Sequence, residues 1–276
     1  MYSLLQQLLR LSLLCLVLSV NTAAAILPNA YLHGHARHSP RQWDRPRLGD
    51  VPYGSIIHSC SVPGTVALTF DDGPSAFTPG ILDHLAQYHA KATFFVNGDN
   101  YGRGRVDDPA RPWPDMLRRM RAAGHQIGSH GWRHIDVSRA SPEARFEEVV
   151  RLEEALAAVL GGVWPTYFRP PFASCDTAGC LADLGELGYH VVNFDVDTKD
   201  YEHDSPDGIG MSMDGFAAGV WGSPEDSAYM VLAHDVYAQT TEALVPFMLD
   251  TLAERGFRMV TVGECLGDPA ENWYRS

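Results

Sequence analysis

From Thr65 to the C-terminus, short runs of β-branched and aromatic residues alternate with segments of helical periodicity. Residues 66–70, 92–96, 126–129, 167–169, 189–194, 229–232 and 257–262 read as strands. Between the first two, Ile81, Leu82 and Leu85 recur at helical spacing within 78–88, and a second helix is predicted over 114–123. Ser141 followed by Pro142 is a cap with proline at the first helical position, and Phe146, Val149, Val150, Leu156 and Leu160 form one stripe of the helix it opens. Further helices end near Leu187 and cover 213–220 and 241–255, with Gly124, Gly161 and Gly256 marking helix ends. Seven β-α alternations without a Gly-x-Gly-x-x-Gly turn predict an α/β wheel of parallel strands, barrel-like, rather than a dinucleotide-binding sheet.

The polar residues add chemistry to that pattern because they fall at strand ends. Asp71 and Asp72 close the first strand, His130 and His134 follow the third, Arg169 ends the fourth, Asp195 and Asp197 follow the fifth, and His234 and Asp235 follow the sixth. On a parallel barrel these ends share one rim, where catalytic residues gather. Two adjacent carboxylates resist joint ionisation unless a cation, a shared proton or an arginine intervenes. His130 and His134, four residues apart, can aim two imidazoles at one point, and one carboxylate completes a two-histidine, one-acid set. That set suits zinc and also serves iron(II), cobalt or manganese. Arg169 is the guanidinium a carboxylate pair needs, and His234 on the same rim suits acid/base work.

Length and composition bound the rest. The 276 residues are 45% hydrophobic and carry a formal net charge of −13, which argues against a nucleic-acid partner. Residues 1–25 read as a secretory signal, with Arg10 ahead of an apolar stretch and small residues at Ala23 to Ala25. No later stretch is apolar enough to span a membrane. Residues 26–50, rich in Pro, Arg and His, read as a flexible arm, and His33, His35 and His38 within it are assigned no chemistry. Residues 51–276 form the folded domain, expected to act as a monomer outside the cell or in its wall. Once Cys15 leaves with the signal, four cysteines allow two disulfides in three pairings, of which Cys60 with Cys265 and Cys175 with Cys180 is preferred.

Five motifs in order carry a resemblance. Thr69-Phe70-Asp71-Asp72-Gly73-Pro74, Ser129-His130-Gly131-Trp132-Arg133-His134, Arg169-Pro170-Pro171-Phe172, Asp197-Thr198-Lys199-Asp200-Tyr201 and Leu232-Ala233-His234 resemble those of polysaccharide deacetylases of carbohydrate esterase family four. The resemblance covers roughly 51–275, and Tyr201 stands where the family usually has Trp. It implies a distorted (β/α)7 barrel with its site at the C-terminal strand ends. It further implies that Asp72, His130 and His134 hold a divalent metal, most often zinc, with cobalt or manganese as alternatives. Asp71 is then the general base, Arg169 its partner, His234 the general acid, and Asp197 the support of His234. The backbone N–H of Phe172 is implied to help hold the oxyanion, with Leu232, Trp132 and Tyr201 near the substrate.

The tail Gly263-Glu264-Cys265-Leu266-Gly267-Asp268 is similar to that of fungal chitin deacetylases, so chitin or its oligomers are the expected substrate. Trp113, Trp132, Tyr201 and Tyr237 are candidates for stacking on sugar rings. An acetyl-xylan esterase using the same residues is the alternative enzyme. A catalytically silent carbohydrate-binding wall protein is the alternative of another class, and its mark would be loss of the base, a ligand or the acid, none of which is missing here.

Overall fold

A computed structural model describes residues 45–99 and 102–276. The expected signal, and residues 26–44 of the expected arm, lie outside the described residues. In chain order the elements are β1 (Ile56–Ile57), β2 (Thr65–Asp71), α1 (Thr78–Gln87), β3 (Thr93–Val96), α2 (Trp113–Ala122), β4 (Gln126–Ser129) and α3 (Pro142–Leu160). There follow β5 (Trp164–Pro165), β6 (Tyr167–Phe168), α4 (Ala178–Glu186), β7 (His190–Val192), β8 (Val196–Asp197), α5 (Ile209–Gly219) and β9 (Tyr229–His234). The chain ends with α6 (Val245–Arg255), β10 (Arg258–Val260), α7 (Val262–Cys265) and β11 (Tyr274–Arg275).

The strands of the main sheet are parallel, and β2 is its axis. All seven residues of β2 are buried, as expected where both faces of a parallel sheet are covered. It pairs with β9 along one edge, Val66 opposite Tyr229 through Asp71 opposite His234. Its other edge is shared: β10 pairs with Thr65 to Ala67, and β3 with Thr69 to Asp71. From β3 the ladder continues through β4 and β6 to β7, while β8 pairs with β9. The predicted fifth strand is β7, in the wall beside β6, and a further short strand that the sequence reading did not predict, β8, follows it in the wall beside β9. Residues 193–195 bridge them, and this break is what distorts the parallel (β/α)7 barrel.

Local chemistry explains the helices. Ser141 caps α3 by accepting the Ala144 N–H, Pro142 takes its first position, and Gly161 ends it in the left-handed conformation at φ 77°. Thr261 and Glu264 form a reciprocal capping box on α7. The predicted helix over 241–255 begins instead as a π-helical turn, Thr240–Leu244, before α6. Apolar faces of α1, α2, α3, α5 and α6 cover the outside of β2, β3, β4 and β9, with Phe70, Phe94, Leu117, Leu156 and Leu249 in one core.

Two disulfides are formed: Cys60–Cys265 ties the segment before β2 to α7, and Cys175–Cys180 closes the loop before α4. Residues 45–50, assigned to the arm from composition, lie against the domain. Arg45 reaches the buried Glu153 carboxylate of α3 at 2.6 and 2.7 Å, and Arg275 Nε donates to the Pro46 carbonyl at 3.0 Å. Among the described residues no helix is long and apolar enough to cross a membrane.

Candidate active site

The C-terminal ends of β2, β4, β6 and β9 bring the rim residues together. At the end of β2, Asp71 and Asp72 are each 3% exposed. Strand alternation would send them to opposite faces, but Asp72 leaves the strand at φ 77°, and this left-handed step returns its carboxylate to the side of Asp71. Asp72, His130 and His134 each offer a ligand atom within 4.8 Å of the others. Asp72 Oδ1 is 3.6 Å from His130 Nε2 and 3.2 Å from His134 Nε2.

The tautomer of His130 follows from its other nitrogen. Nδ1 lies 2.7 Å from the Arg169 carbonyl, which can only accept, so Nδ1 carries the hydrogen and Nε2 presents its lone pair towards Asp72. Burial pushes the His130 imidazole down to about 3, partly opposed by Asp72, so it stays neutral. Two imidazoles with a carboxylate, all converging, fit a divalent metal.

Asp71 is turned to a different partner. Arg169, 1% exposed, donates from one terminal nitrogen to Asp71 Oδ1 at 3.0 Å and to the Thr69 hydroxyl. Its other nitrogens are spent on the Asn193 carbonyl at 2.7 Å and the Val192 carbonyl at 3.3 Å, and the guanidinium lies over the Phe95 ring at 4.4 Å. The cation is thus fixed in place by backbone on the far side. Burial raises the Asp71 carboxyl above its ordinary value, and Arg169 followed by His234 works against that rise.

His234, at the end of β9, is held by Asp200. Nδ1 is 2.7 Å from Asp200 Oδ1, and Asp200 Oδ2 accepts from the His234 backbone N–H and the Thr240 hydroxyl, both at 2.7 Å. Burial lowers the imidazole, but the hydrogen bond and charge of Asp200, with Asp71 and Asp72 behind it, outweigh burial and bring it to about 9. The π-helical turn before α6 delivers Thr240 to this carboxylate, a use of such turns common at functional sites.

Four sequence expectations are corrected by this geometry. Asp197 does not support His234: its carboxylate accepts the Lys199 N–H at 2.9 Å and the Tyr201 hydroxyl at 3.0 Å. Asp195 is not on the rim, because it lies at the break before β8 and accepts from Met230 N–H at the start of β9. Trp132, 1% exposed, is no sugar platform: its ring lies under Arg151 at 4.3 Å and Arg105 at 5.3 Å, against Gly98, where any side chain would overlap it. Trp113 is likewise buried, donating to the Arg103 carbonyl at 3.1 Å. Leu232 sits in the wall two residues before His234, almost wholly covered.

Three aromatics flank the site. Phe172, 68% exposed and at φ 59°, sets its ring 4.6 Å from His134. Across from it, Tyr201, 42% exposed, and Tyr237 stand edge-on to the His234 ring at 5.4 and 5.7 Å. Asp200, Thr240, Asn193 and Asp235 are the polar residues that strand-end reading left without a role. The second acid of the run Asp197-Thr198-Lys199-Asp200 was the only signal for Asp200.

Comparison with known proteins places this geometry. Residues 58–192 match the family described as polysaccharide deacetylase. A chitin deacetylase of Colletotrichum lindemuthianum is 46% identical over 226 residues, covering 82% of this chain and 89% of its own. A chitin deacetylase of Pestalotiopsis sp is 45% identical over 247 residues, covering 90% of this chain and 78% of its own. The solved structure of the chitin deacetylase from the fungal pathogen Colletotrichum lindemuthianum superposes with a TM-score of 0.77 at 47% identity, covering 82% of this chain and 97% of that one. The chain belongs to the polysaccharide deacetylase family.

Proposed function

We propose that this chain is a secreted, metal-dependent hydrolase that removes N-acetyl groups from N-acetylglucosamine units of chitin or its oligomers. The observation that carries the reading is the division of labour between adjacent acids. Asp72 faces two histidines and Asp71 faces Arg169, while His234 with its Asp200 stands on the neighbouring strand.

Asp72, His130 and His134 would hold the divalent ion, zinc first among the choices. Bound there, the ion supplies Lewis-acid polarisation of the acetyl carbonyl and a more acidic water. Asp71 takes the proton of the attacking water as its oxygen bonds to the carbonyl carbon. Arg169 keeps Asp71 ionised for that step and fixes its direction. The backbone N–H of Phe172 donates to the oxyanion that results. His234 then gives its proton to the sugar nitrogen as the carbon–nitrogen bond breaks, leaving acetate and an amine. Amide cleavage needs this acid because an unprotonated amine is a poor leaving group. Substrate identity rests on the chitin deacetylases that the chain resembles and on the exposed Phe172 and Tyr201 and the half-buried Tyr237 around the rim.

The test is acetate release from defined chitin oligomers by zinc-loaded protein. Release of one or more acetates per oligomer is expected. No release from any N-acetylglucosamine polymer, with acetate freed from acetylated xylan instead, would overturn the amide reading in favour of an esterase.

A further inference from the structure

We infer that Asp235 is a positioning residue for the metal-binding carboxylate of Asp72, clamping from the end of β9, with Thr78 of α1, the turn that carries it. The inference rests on the reading of Asp72 as a metal ligand.

Asp72 sits at φ 77°, a left-handed conformation uncommon outside glycine, asparagine and aspartate, and its direction depends on what holds the turn. Asp235 is the common element of the contacts that do so. Its backbone N–H donates to the Asp71 carbonyl at 3.3 Å, and its own carbonyl accepts from the Ser75 hydroxyl. Its carboxylate lies against Gly73, where a Cβ would overlap both carboxylate oxygens. Thr78, at the start of α1, donates to Asp235 Oδ2 at 2.6 Å and accepts the Ser75 N–H at 2.8 Å. One residue therefore grips the chain on both sides of Asp72: its main chain holds residues 71 and 75, and its carboxylate backs Gly73 and takes the Thr78 hydroxyl.

Its place directly after β9 makes the clamp specific to the site. His234 and Asp235 are successive, so their side chains leave in opposite directions. His234 goes to the open rim, and Asp235 goes behind the Asp72 turn, where it is 0% exposed. Asp235 Oδ1 is buried without a hydrogen-bond partner among the described residues, so a fully solvated substrate does not reach it. Its action on the reaction runs through the turn alone. On the other side of the turn, Arg103 donates to the Asp72 carbonyl, so the peptide after the ligand is held from front and back. Partners of this kind behind metal ligands set affinity for the ion by holding the ligand in direction.

The experiment is zinc affinity by competition with a chromogenic chelator, in the wild type, Asp235→Ala, Asp235→Asn and Thr78→Val, with thermal melting of each metal-free protein. Asp235→Ala should weaken zinc binding roughly 10–100-fold. Thr78→Val, which keeps the shape but removes the hydroxyl, should weaken it less and in the same direction. Asp235→Asn keeps the shape and an acceptor for Thr78, and should stay within about threefold of wild type. Wild-type zinc affinity in both Asp235→Ala and Thr78→Val, whatever their melting temperatures, would overturn the inference. So would a loss in Asp235→Asn as large as in Asp235→Ala, which would make the effect one of charge. Should Asp235→Ala fail to fold, unchanged affinity in Thr78→Val overturns it alone. A wild type that binds no zinc would overturn the metal reading itself, and that failure is distinguished by the first measurement.

Discussion

Asp200 grips His234 at two points, its Oδ1 2.7 Å from Nδ1 and its Oδ2 2.7 Å from the backbone nitrogen. A carboxylate that holds both the ring and the main chain of one residue leaves the imidazole no freedom to turn. The second oxygen is further tied to the Thr240 hydroxyl, so the acceptor is as fixed as the donor. The free edge of the ring then keeps one direction, towards the rim, and one proton to give.

The pH dependence of turnover follows from this pair. Asp200 brings His234 to about 9 against the pull of burial, so the acid form is complete at neutral pH and is lost as pH rises through about 9. Asp71, raised by burial, must be ionised, so activity also falls on the acid side, above the ordinary carboxylate range. In Asp200→Asn the charge is gone and burial dominates, so the alkaline limb of kcat/KM moves to lower pH and turnover at neutral pH drops by roughly 10²–10⁴. Profiles of kcat/KM against pH for both proteins check the sign: an alkaline limb that stays in place would detach Asp200 from the acid. The pair also contributes to stability, in full below the ordinary imidazole range and lost as pH rises through about 9.

How much of this could be read from sequence is clearest at residues 197 to 201. The strand ends were legible because apolar runs stop where ionisable residues begin, and capping residues such as Ser141 marked the helices. The choice between Asp197 and Asp200 was not, because it depends on a loop and not on a period. Lys199 adopts φ 54°, and the 3₁₀ turn over Asp200–Glu202 that follows carries Asp200 under His234 while Asp197 is taken by Tyr201. Trp132 misled for a related reason. It lies between two rim histidines, yet the missing side chain of Gly98, more than thirty residues away in sequence, opens the slot that swallows its ring. The two-residue strand β8 was hidden too, since Val196 and Asp197 follow the strand read over 189 to 194 without an apolar period of their own.

Asp71 and Asp72 should separate cleanly in mutants. Asp71→Asn keeps the shape and leaves Asp72, His130 and His134 in place, so zinc should be retained while turnover falls by roughly 10²–10⁴. His130→Ala removes a ligand and should lose both. Elemental analysis beside acetate release distinguishes the two, and an active Asp71→Asn would remove Asp71 as the base. Chelation of the wild type should abolish release, with recovery on adding zinc.

Burial separates the aromatic residues in the same way. Trp132→Ala empties a packed slot and should lower the unfolding free energy by about 4 kcal/mol. Tyr201→Ala, at a half-open position, should leave stability within about 0.5 kcal/mol. It should raise KM for chitin oligomers roughly threefold to tenfold, the worth of about one aromatic contact. Denaturant unfolding and steady-state kinetics on both variants check this; an unchanged KM in Tyr201→Ala would take Tyr201 out of the substrate wall.

The docked segment before Pro52 makes a prediction about where the fold begins. Glu153 is buried to 1% side-chain exposure in the middle of α3, and its partners are Arg45 and the Tyr189 hydroxyl at 2.8 Å. A carboxylate left there with one hydroxyl is an uncompensated buried charge, so Arg45→Ala should cost about 3 kcal/mol. The cost belongs to the orphaned acid and not to the ion pair itself, because a buried pair replaced by apolar groups of similar size is close to neutral. Arg45→Met combined with Glu153→Leu should therefore recover most of the loss, and a chain cut to begin at Val51 should show it in full. Urea unfolding of the four proteins decides the matter: equal stability of the Val51 chain and the full-length protein would show that residues 45–50 rest on the domain without contributing to it.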